Sequence, residues 1–167
     1  MLKYTICFIQ CGDELLLLNR IKSPNMGLWN GIGGKLEPPE TPQQGIVREI
    51  EEETGIHIDP NFVQDAGIVR WISEHEQSGM YVFYCEVPTK EVVTPKAVDE
   101  GILMWKSLSW VLHKDNAGVV DNIRHFLPSL LQKAFSMEHI FNYNAQDELV
   151  GYEARPLNVE QQIMNMN

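Results

Sequence analysis

The chain has 167 residues, with 13 Lys and Arg against 23 Asp and Glu, and a formal net charge of −10. No basic stripe exists to meet a phosphate backbone, which excludes a nucleic-acid polymer as partner and leaves a small polyphosphate, screened by cations, as a ligand class. The longest aliphatic run, 15–18, is far too short to cross a bilayer, and the opening MLKYTICFIQ reads as a strand rather than a signal peptide; a cytoplasmic protein of one domain is expected.

In chain order, residues 4–10 and 14–20 predict a hairpin around Cys11-Gly12-Asp13. Residues 22–27, with Pro24, Asn25 and Gly27, read as a loop, and 28–32 as a short extended piece running into Gly33-Gly34. Pro38-Pro39 blocks a helix until Thr41. Strands follow at 66–73 and 80–87 around a polar turn, then a loop at 89–100, a strand at 102–105, and a helix at 122–135 in which Pro128 marks a start or a kink. Residues 138–143 and 149–155 predict a last hairpin, and 157–167 a polar tail. Cys7, Cys11 and Cys85 lack metal-ligand spacing and are expected to be reduced.

Residues 34–56 carry the chemistry. Thr41 is a good N-cap, Pro42 suits the first helical position, Gln44 sits where a capping box needs it, and Gly55 is a left-handed stop. The helix so defined spans 42–54. At about 100° per residue, Glu49, Glu52 and Glu53 share one arc, Ile46, Val47 and Ile50 the neighbouring one, and Glu51 points away. Like charges at these spacings destabilise a helix, and they lie at the end of the dipole that disfavours anions. A cation is therefore expected there, and an all-oxygen donor set suits Mg²⁺, with Mn²⁺ as substitute.

Gly34, Glu40, Arg48-Glu49, Glu52-Glu53 and Gly55 stand at the spacing of the Nudix box, which the stretch GKLEPPETPQQGIVREIEEETGI resembles without gap or substitution. The chain is also similar to the MutT-type branch that hydrolyses oxidised purine nucleoside triphosphates. The likeness is carried by Leu28-Trp29-Asn30-Gly31-Ile32-Gly33-Gly34-Lys35, by Asp99-Glu100 before Trp105, by Leu127-Pro128-Ser129-Leu130-Leu131-Gln132, and by a final hairpin with Phe141, Asp147, Leu149, Tyr152 and Arg155. The resemblance implies an α+β protein with the Nudix fold, an α/β/α sandwich around a mixed β-sheet, over residues 1–156.

It further implies Mg²⁺ held by Glu49, Glu52, Glu53 and the Gly33 carbonyl, with Arg48 fixing the carboxylates and Glu40 supporting the start of the helix. The glycines at 31, 33 and 34 would let the backbone approach a phosphate, and Lys35 would meet a phosphate oxygen. Glu100 and Glu52 are alternative general bases, with Asp99 competing for the place of Glu100. Asn30, Trp71, Asp121 and Asn122 would form the base pocket, although the resembling enzymes often carry two acids at the last two positions. The implied reaction is attack of water on an internal phosphorus of a small nucleotide, such as 8-oxo-dGTP, giving monophosphate and pyrophosphate, by a monomer or homodimer. Alternatives are a Nudix hydrolase of a nucleotide sugar or dinucleotide polyphosphate, and a non-catalytic nucleotide-binding domain.

Overall fold

The computed structural model describes residues 2–158. Nine strands form one sheet: β1 Tyr4–Cys11, β2 Glu14–Arg20, β3 Trp29–Asn30, β4 Gln64–Ile72, β5 Gln77–Glu86, β6 Lys96–Val98, β7 Gly101–Ser107, β8 Met137–Tyr143 and β9 Leu149–Pro156. Their spatial order is β6-β7-β2-β1-β5-β4-β8-β9, with β3 on β2. The β1/β5 and β4/β8 pairs are parallel and the other pairs antiparallel, so the sheet is mixed.

Strand alternation gives the sheet two apolar faces. On one, Cys7, Ile9, Leu16, Leu18, Tyr81 and Phe83 pack against Ile46 and Ile50 of α1, Pro42–Thr54. On the other, Ile6, Phe8, Leu15, Leu17, Val82 and Tyr84 pack against Ile123, Phe126, Leu127 and Leu130 of α3, Ile123–Leu131. A short helix, α2 Leu108–Val111, sits on this second face. The result is the expected three-layer α/β/α arrangement. Cys7, Cys11 and Cys85 are free thiols.

The opening hairpin is forked. β1 and β2 pair only near the turn, from Ile9 opposite Leu16 to Cys11 opposite Glu14. Beyond it the chain following β3 enters between the strands, with Ile32 and Cys7 exchanging backbone bonds and Thr5 N donating to Gly34 O at 2.8 Å. This wedge holds the glycine segment beside α1. At Gly33, φ is +153° and a Cβ would lie 2.2 Å from Thr5 O, and at Gly34 a Cβ would meet the Glu49 carboxylate at 2.5 Å. In this structure glycine at these two positions allows close approach to β1 and to Glu49.

The expected 89–100 loop contains β6, which pairs antiparallel with β7 through the tight turn at Asp99-Glu100. The last helix stops at Leu131, four residues short of the sequence expectation, and Pro128 lies inside it. The chain turns out there through Lys133, whose φ is +56°. Most of the tail, residues 159–167, lies outside the described residues. No helix among the described residues is long and apolar enough to cross a membrane.

Candidate active site

The box helix forms as its sequence dictates. Thr41 Oγ1 accepts from Gln44 N while Gln44 Oε1 accepts from Thr41 N, and Gly55 closes the last turn at φ +79° with its N–H on Glu51 O. Ile46 and Ile50 are fully buried, which fixes the rotation of the helix and aims Glu49 and Glu53 at the wedge between β1 and β2. Glu51 faces away, exposed, against His57.

Arg48 ties the acids together. Its Nε donates to Glu40 Oε1 at 2.6 Å and its Nη2 to Glu40 Oε2 at 3.0 Å, a bidentate pair. Nη1 reaches both Glu49 Oε1 and Glu52 Oε2 at 2.9 Å, and Nη2 also donates to Lys35 O at 3.2 Å. Glu40 therefore supplies the fork that orients the guanidinium, which in turn orients two glutamates. Hydrogen bonding to Arg48 pulls the Glu40 carboxyl below its ordinary range, and Arg48 is held still more firmly protonated by Glu40 first. Lys35 is exposed and joins this network through its carbonyl, not its ammonium.

Glu53 has no such cation in contact. It is 7% exposed and accepts one hydrogen bond, from Gly33 N at 3.1 Å. Burial pushes its carboxyl up to about 8; the Gly33 N–H opposes this, the charges of Glu49 and Glu100 add to it, and Arg20 opposes it more weakly. Burial also raises Glu49, and the Arg48 contact only partly offsets it. Glu100 sits at the tip of the β6–β7 turn, its backbone oxygen bonded to Ile21 N and its carboxylate 4.0 Å from Arg20 Nη2. Asp99, beside it, is exposed.

Glu49, Glu53 and Glu100 are thus brought together electrostatically. Among the described residues no three His, Cys, Asp or Glu side chains close into a metal-binding group, and Glu52 is turned onto Arg48. The donor set nonetheless fits a hard divalent cation: a buried carboxylate without a contacting cation, further carboxylates around it, and oxygen atoms only. Gly33 contacts the box through its N–H, which donates to Glu53; the metal-ligand role that the resemblance implies belongs to its carbonyl, a different atom.

Of the expected base-pocket residues, Trp71, Asp121 and Asn122 lie toward the second face, whereas Asn30, opposite Leu18, points to the face that carries α1. Asn30 belongs to β3, and its Oδ1 accepts from Gly31 N at 2.9 Å. Val120 N donates to Trp29 O, so Asp121 and Asn122 follow directly after the contact with β3. Tyr143 of β8 donates its hydroxyl to Asp121 Oδ1 at 3.2 Å, while Asn122 is buried at the start of α3 without capping it. Trp71, late in the neighbouring β4, is half-buried and tilts against Tyr4 with ring centroids 6.1 Å apart. Arg20 and Tyr143 escaped the sequence reading; a lone Arg at a strand end and a Tyr in a hairpin carry no motif that would single them out. Two surface hollows, about 350 Å³ beside Thr54 and Lys96 and about 480 Å³ beside Gln43 and Pro60, are lined by none of Glu49, Glu53, Glu100 or Asn30. The site is therefore located by its chemistry, not by the size of a cavity.

The NUDIX domain family matches residues 2–130. An uncharacterised Nudix hydrolase of Bacillus subtilis (strain 168) is 28% identical over 164 residues, covering 95% of this chain and 97% of the relative. The oxidized purine nucleoside triphosphate hydrolase of Mus musculus is 26% identical over 152 residues, covering 91% and 93%. The crystal structure of a mutator MutT protein from Bacillus halodurans superposes with a TM-score of 0.73 at 26% identity, over 95% of this chain and all of that one. A family match that runs through the box and far beyond it, on a fold shared with MutT, makes this chain a member of the Nudix family and a MutT-type Nudix hydrolase acting on nucleotide diphosphate linkages.

Proposed function

We propose that this enzyme hydrolyses purine nucleoside triphosphates, with 8-oxo-dGTP as the leading substrate, to monophosphate and pyrophosphate. Nudix hydrolases generally use divalent metal ions. Here Glu49, Glu52, Glu53 and the Gly33 carbonyl are the residues to hold Mg²⁺, or Mn²⁺ in its place. The cation would supply Lewis acidity at the phosphoanhydride and make water more acidic. The observation that carries this reading is Glu53, buried beside Glu49 and Glu100 with no guanidinium in contact.

Each of the chain's own residues has a distinct task in this mechanism. Arg48, oriented by its fork with Glu40, holds Glu49 and Glu52 in fixed rotamers. Glu52 is committed to Arg48, whereas the nearest cation to Glu100 is 4.0 Å away. Glu100 is therefore the freer carboxylate to take the proton of the attacking water. Lys35 stands at the edge of the box with its side chain exposed, available to a terminal phosphate oxygen.

The base reading rests on Asn30 of β3 and on Trp71, Asp121 and Asn122 of the second face. The oxygen of Asn30 is engaged by Gly31 N, which leaves its amide NH₂ to donate to an acceptor on a base edge. Trp71 offers an indole face for stacking. Asp121, tied to the Tyr143 hydroxyl, and Asn122 complete the polar edge. The mouse oxidized purine nucleoside triphosphate hydrolase, similar over nearly its whole length, supports the same substrate class.

Monophosphate release from 8-oxo-dGTP, dGTP, ATP, CTP and ADP-ribose in Mg²⁺, with pyrophosphate as the second product of the triphosphates and ribose phosphate that of ADP-ribose, tests the proposal. The highest kcat/KM should belong to a purine triphosphate. Preference for CTP or ADP-ribose would overturn the substrate assignment and leave the hydrolase intact.

A further inference from the structure

Lys106 lies outside the box and away from its carboxylates. It is half-buried on β7, and its Nζ sits 4.4 Å from the ring centroid of Trp29 and 4.5 Å from that of Trp110. The two indoles meet edge to face, 6.5 Å apart. An ammonium over two ring faces is attracted by both, and partial burial strengthens the attraction.

Each indole belongs to one of the two segments that carry the polar groups of the base pocket. Trp29 is the chain neighbour of Asn30. Trp110 lies in α2, where its carbonyl accepts from Asn116 Nδ2 at 2.7 Å. Asn116 Oδ1 in turn accepts from Gly118 N at 2.9 Å. That loop then pairs with β3, Trp29 N donating to Gly118 O and Val120 N to Trp29 O, and it ends at Asp121.

Neither segment is held firmly by regular structure alone. β3 is two residues long and meets β2 only at Leu18 opposite Asn30 and Asn19 opposite Trp29. α2 is a single turn of four residues. The cation between the two tryptophans is therefore a third tie, and it comes from a strand of the main sheet, with Lys106 directly opposite Leu15.

We propose that Lys106 is a positioning residue for base recognition: its ammonium holds Trp29 and Trp110 together and so sets the spacing between Asn30 and Asp121. The proposal rests on the purine-pocket reading above. A site that reads a base by hydrogen bonds discriminates only while its groups keep their places, since a misplaced donor is left unpaired. Lys106 touches neither the box nor Glu100 in the hydrogen-bonding and ion-pair network, so its effect falls on the KM for purines and spares kcat.

The test compares Lys106→Met and Lys106→Arg with the unaltered enzyme on 8-oxo-dGTP, dGTP and CTP in Mg²⁺. Lys106→Met should raise KM for both purines about tenfold, which is about 1.4 kcal/mol, with kcat and the CTP KM nearly unchanged. Lys106→Arg keeps a cation over the rings and should restore the purine KM. Lys106→Gln, neutral and soluble, serves as the second neutral variant should the methionine variant fold poorly. A uniform loss on all three substrates would make Lys106 merely structural and overturn the proposal. So would an unchanged purine-to-CTP ratio in a background where Asn30→Ala collapses that ratio; the pocket reading would then survive alone. An unchanged ratio in Asn30→Ala itself would overturn the pocket reading and the positioning role together.

Discussion

Glu53 and Glu138 are both buried glutamates, 7% and 1% exposed, yet their surroundings are opposite. Glu138, on β8, receives Arg70 Nε at 2.6 Å on one carboxylate oxygen and Arg155 Nε at 2.7 Å on the other. Burial works against its charge, but the two guanidiniums outweigh that and hold its carboxyl below the ordinary range. Glu53 has one backbone N–H and two neighbouring acids, and its carboxyl rises to about 8. The first arrangement is complete within the protein and serves the fold. The second is left without a balancing cation among the described residues, and that is the observation on which the proposed metal site rests.

Substitution of the two glutamates by glutamine separates these roles most sharply. Glu53→Gln should lower kcat about 10²-fold or more while leaving the melting temperature unchanged or raised, because burial already opposes ionisation of this carboxyl and a neutral amide of the same shape replaces it. Glu52→Gln should lose activity on the same scale, and Glu51→Gln, on the exposed side of the helix, should be nearly silent. Equal losses at 51 and 52 in steady-state assays would refute the helix-face assignment.

Glu138→Gln should do the reverse. Two guanidiniums lose their shared carboxylate, at a cost below that of breaking a fully buried pair because both arginines are partly exposed. Denaturant titration should show a lower midpoint with an unchanged slope, and kcat per folded molecule should hold. A large loss of kcat with normal stability would put Glu138 in the catalytic machinery and erase the contrast.

The cation itself provides a smaller measure. Mg²⁺ at ten times its Kd should add about 1.4 kcal/mol to the stability of the unaltered protein, read as a rise in melting temperature. In Glu53→Gln the rise should shrink, and in a soluble Glu138 variant it should persist. Activity should vanish with excess EDTA and return with Mg²⁺; turnover that survives the chelator would end the metal assignment.

A pH-dependent effect concerns His139, next to Glu138 in the chain but on the other face of the sheet. It is packed against Phe126 of α3 and Tyr152 of β9, with His125 close to Tyr152 and to Phe141. Its Nδ1 meets the Tyr152 hydroxyl at 2.9 Å, and that hydroxyl donates to His125 O. His139 therefore carries its proton on Nδ1, leaving Nε2 buried without a hydrogen-bond partner among the described residues. Burial lowers its pKa from the ordinary 6.5 to about 4. The unfolded chain then binds the proton more readily, so stability is full above about pH 6.5 and is lost as the pH falls toward 4. His139→Gln should flatten this part of the stability profile; a profile identical to that of the unaltered protein would remove His139 from the account.

Much of the box side of this contrast was legible in the sequence. A capping box, a proline at the first helical position and a left-handed glycine act within a few residues of one another, and α1 begins and ends where they place it. The apolar arc at Ile46 and Ile50 likewise specified which carboxylates would face inward. The loop that holds β6 was not legible, because a three-residue edge strand is stabilised by its partner β7 rather than by its own composition. The extra turn expected of α3 failed for a related reason: apolar residues continue to Phe135, but the backbone leaves the helix through Lys133.

The sequence by itself determined the box helix, the alternation that produces two apolar sheet faces, the family and hence the reaction class, since all of these depend on local spacing. Only the tertiary structure decided that the segment after β3 would wedge open the first hairpin, that Arg48 would be forked by Glu40, that Arg20 would stand beside Glu100, and that Lys106 would lie between two tryptophans. These contacts join residues from separate elements. Their energies depend on distance and burial, which no periodicity in the chain encodes.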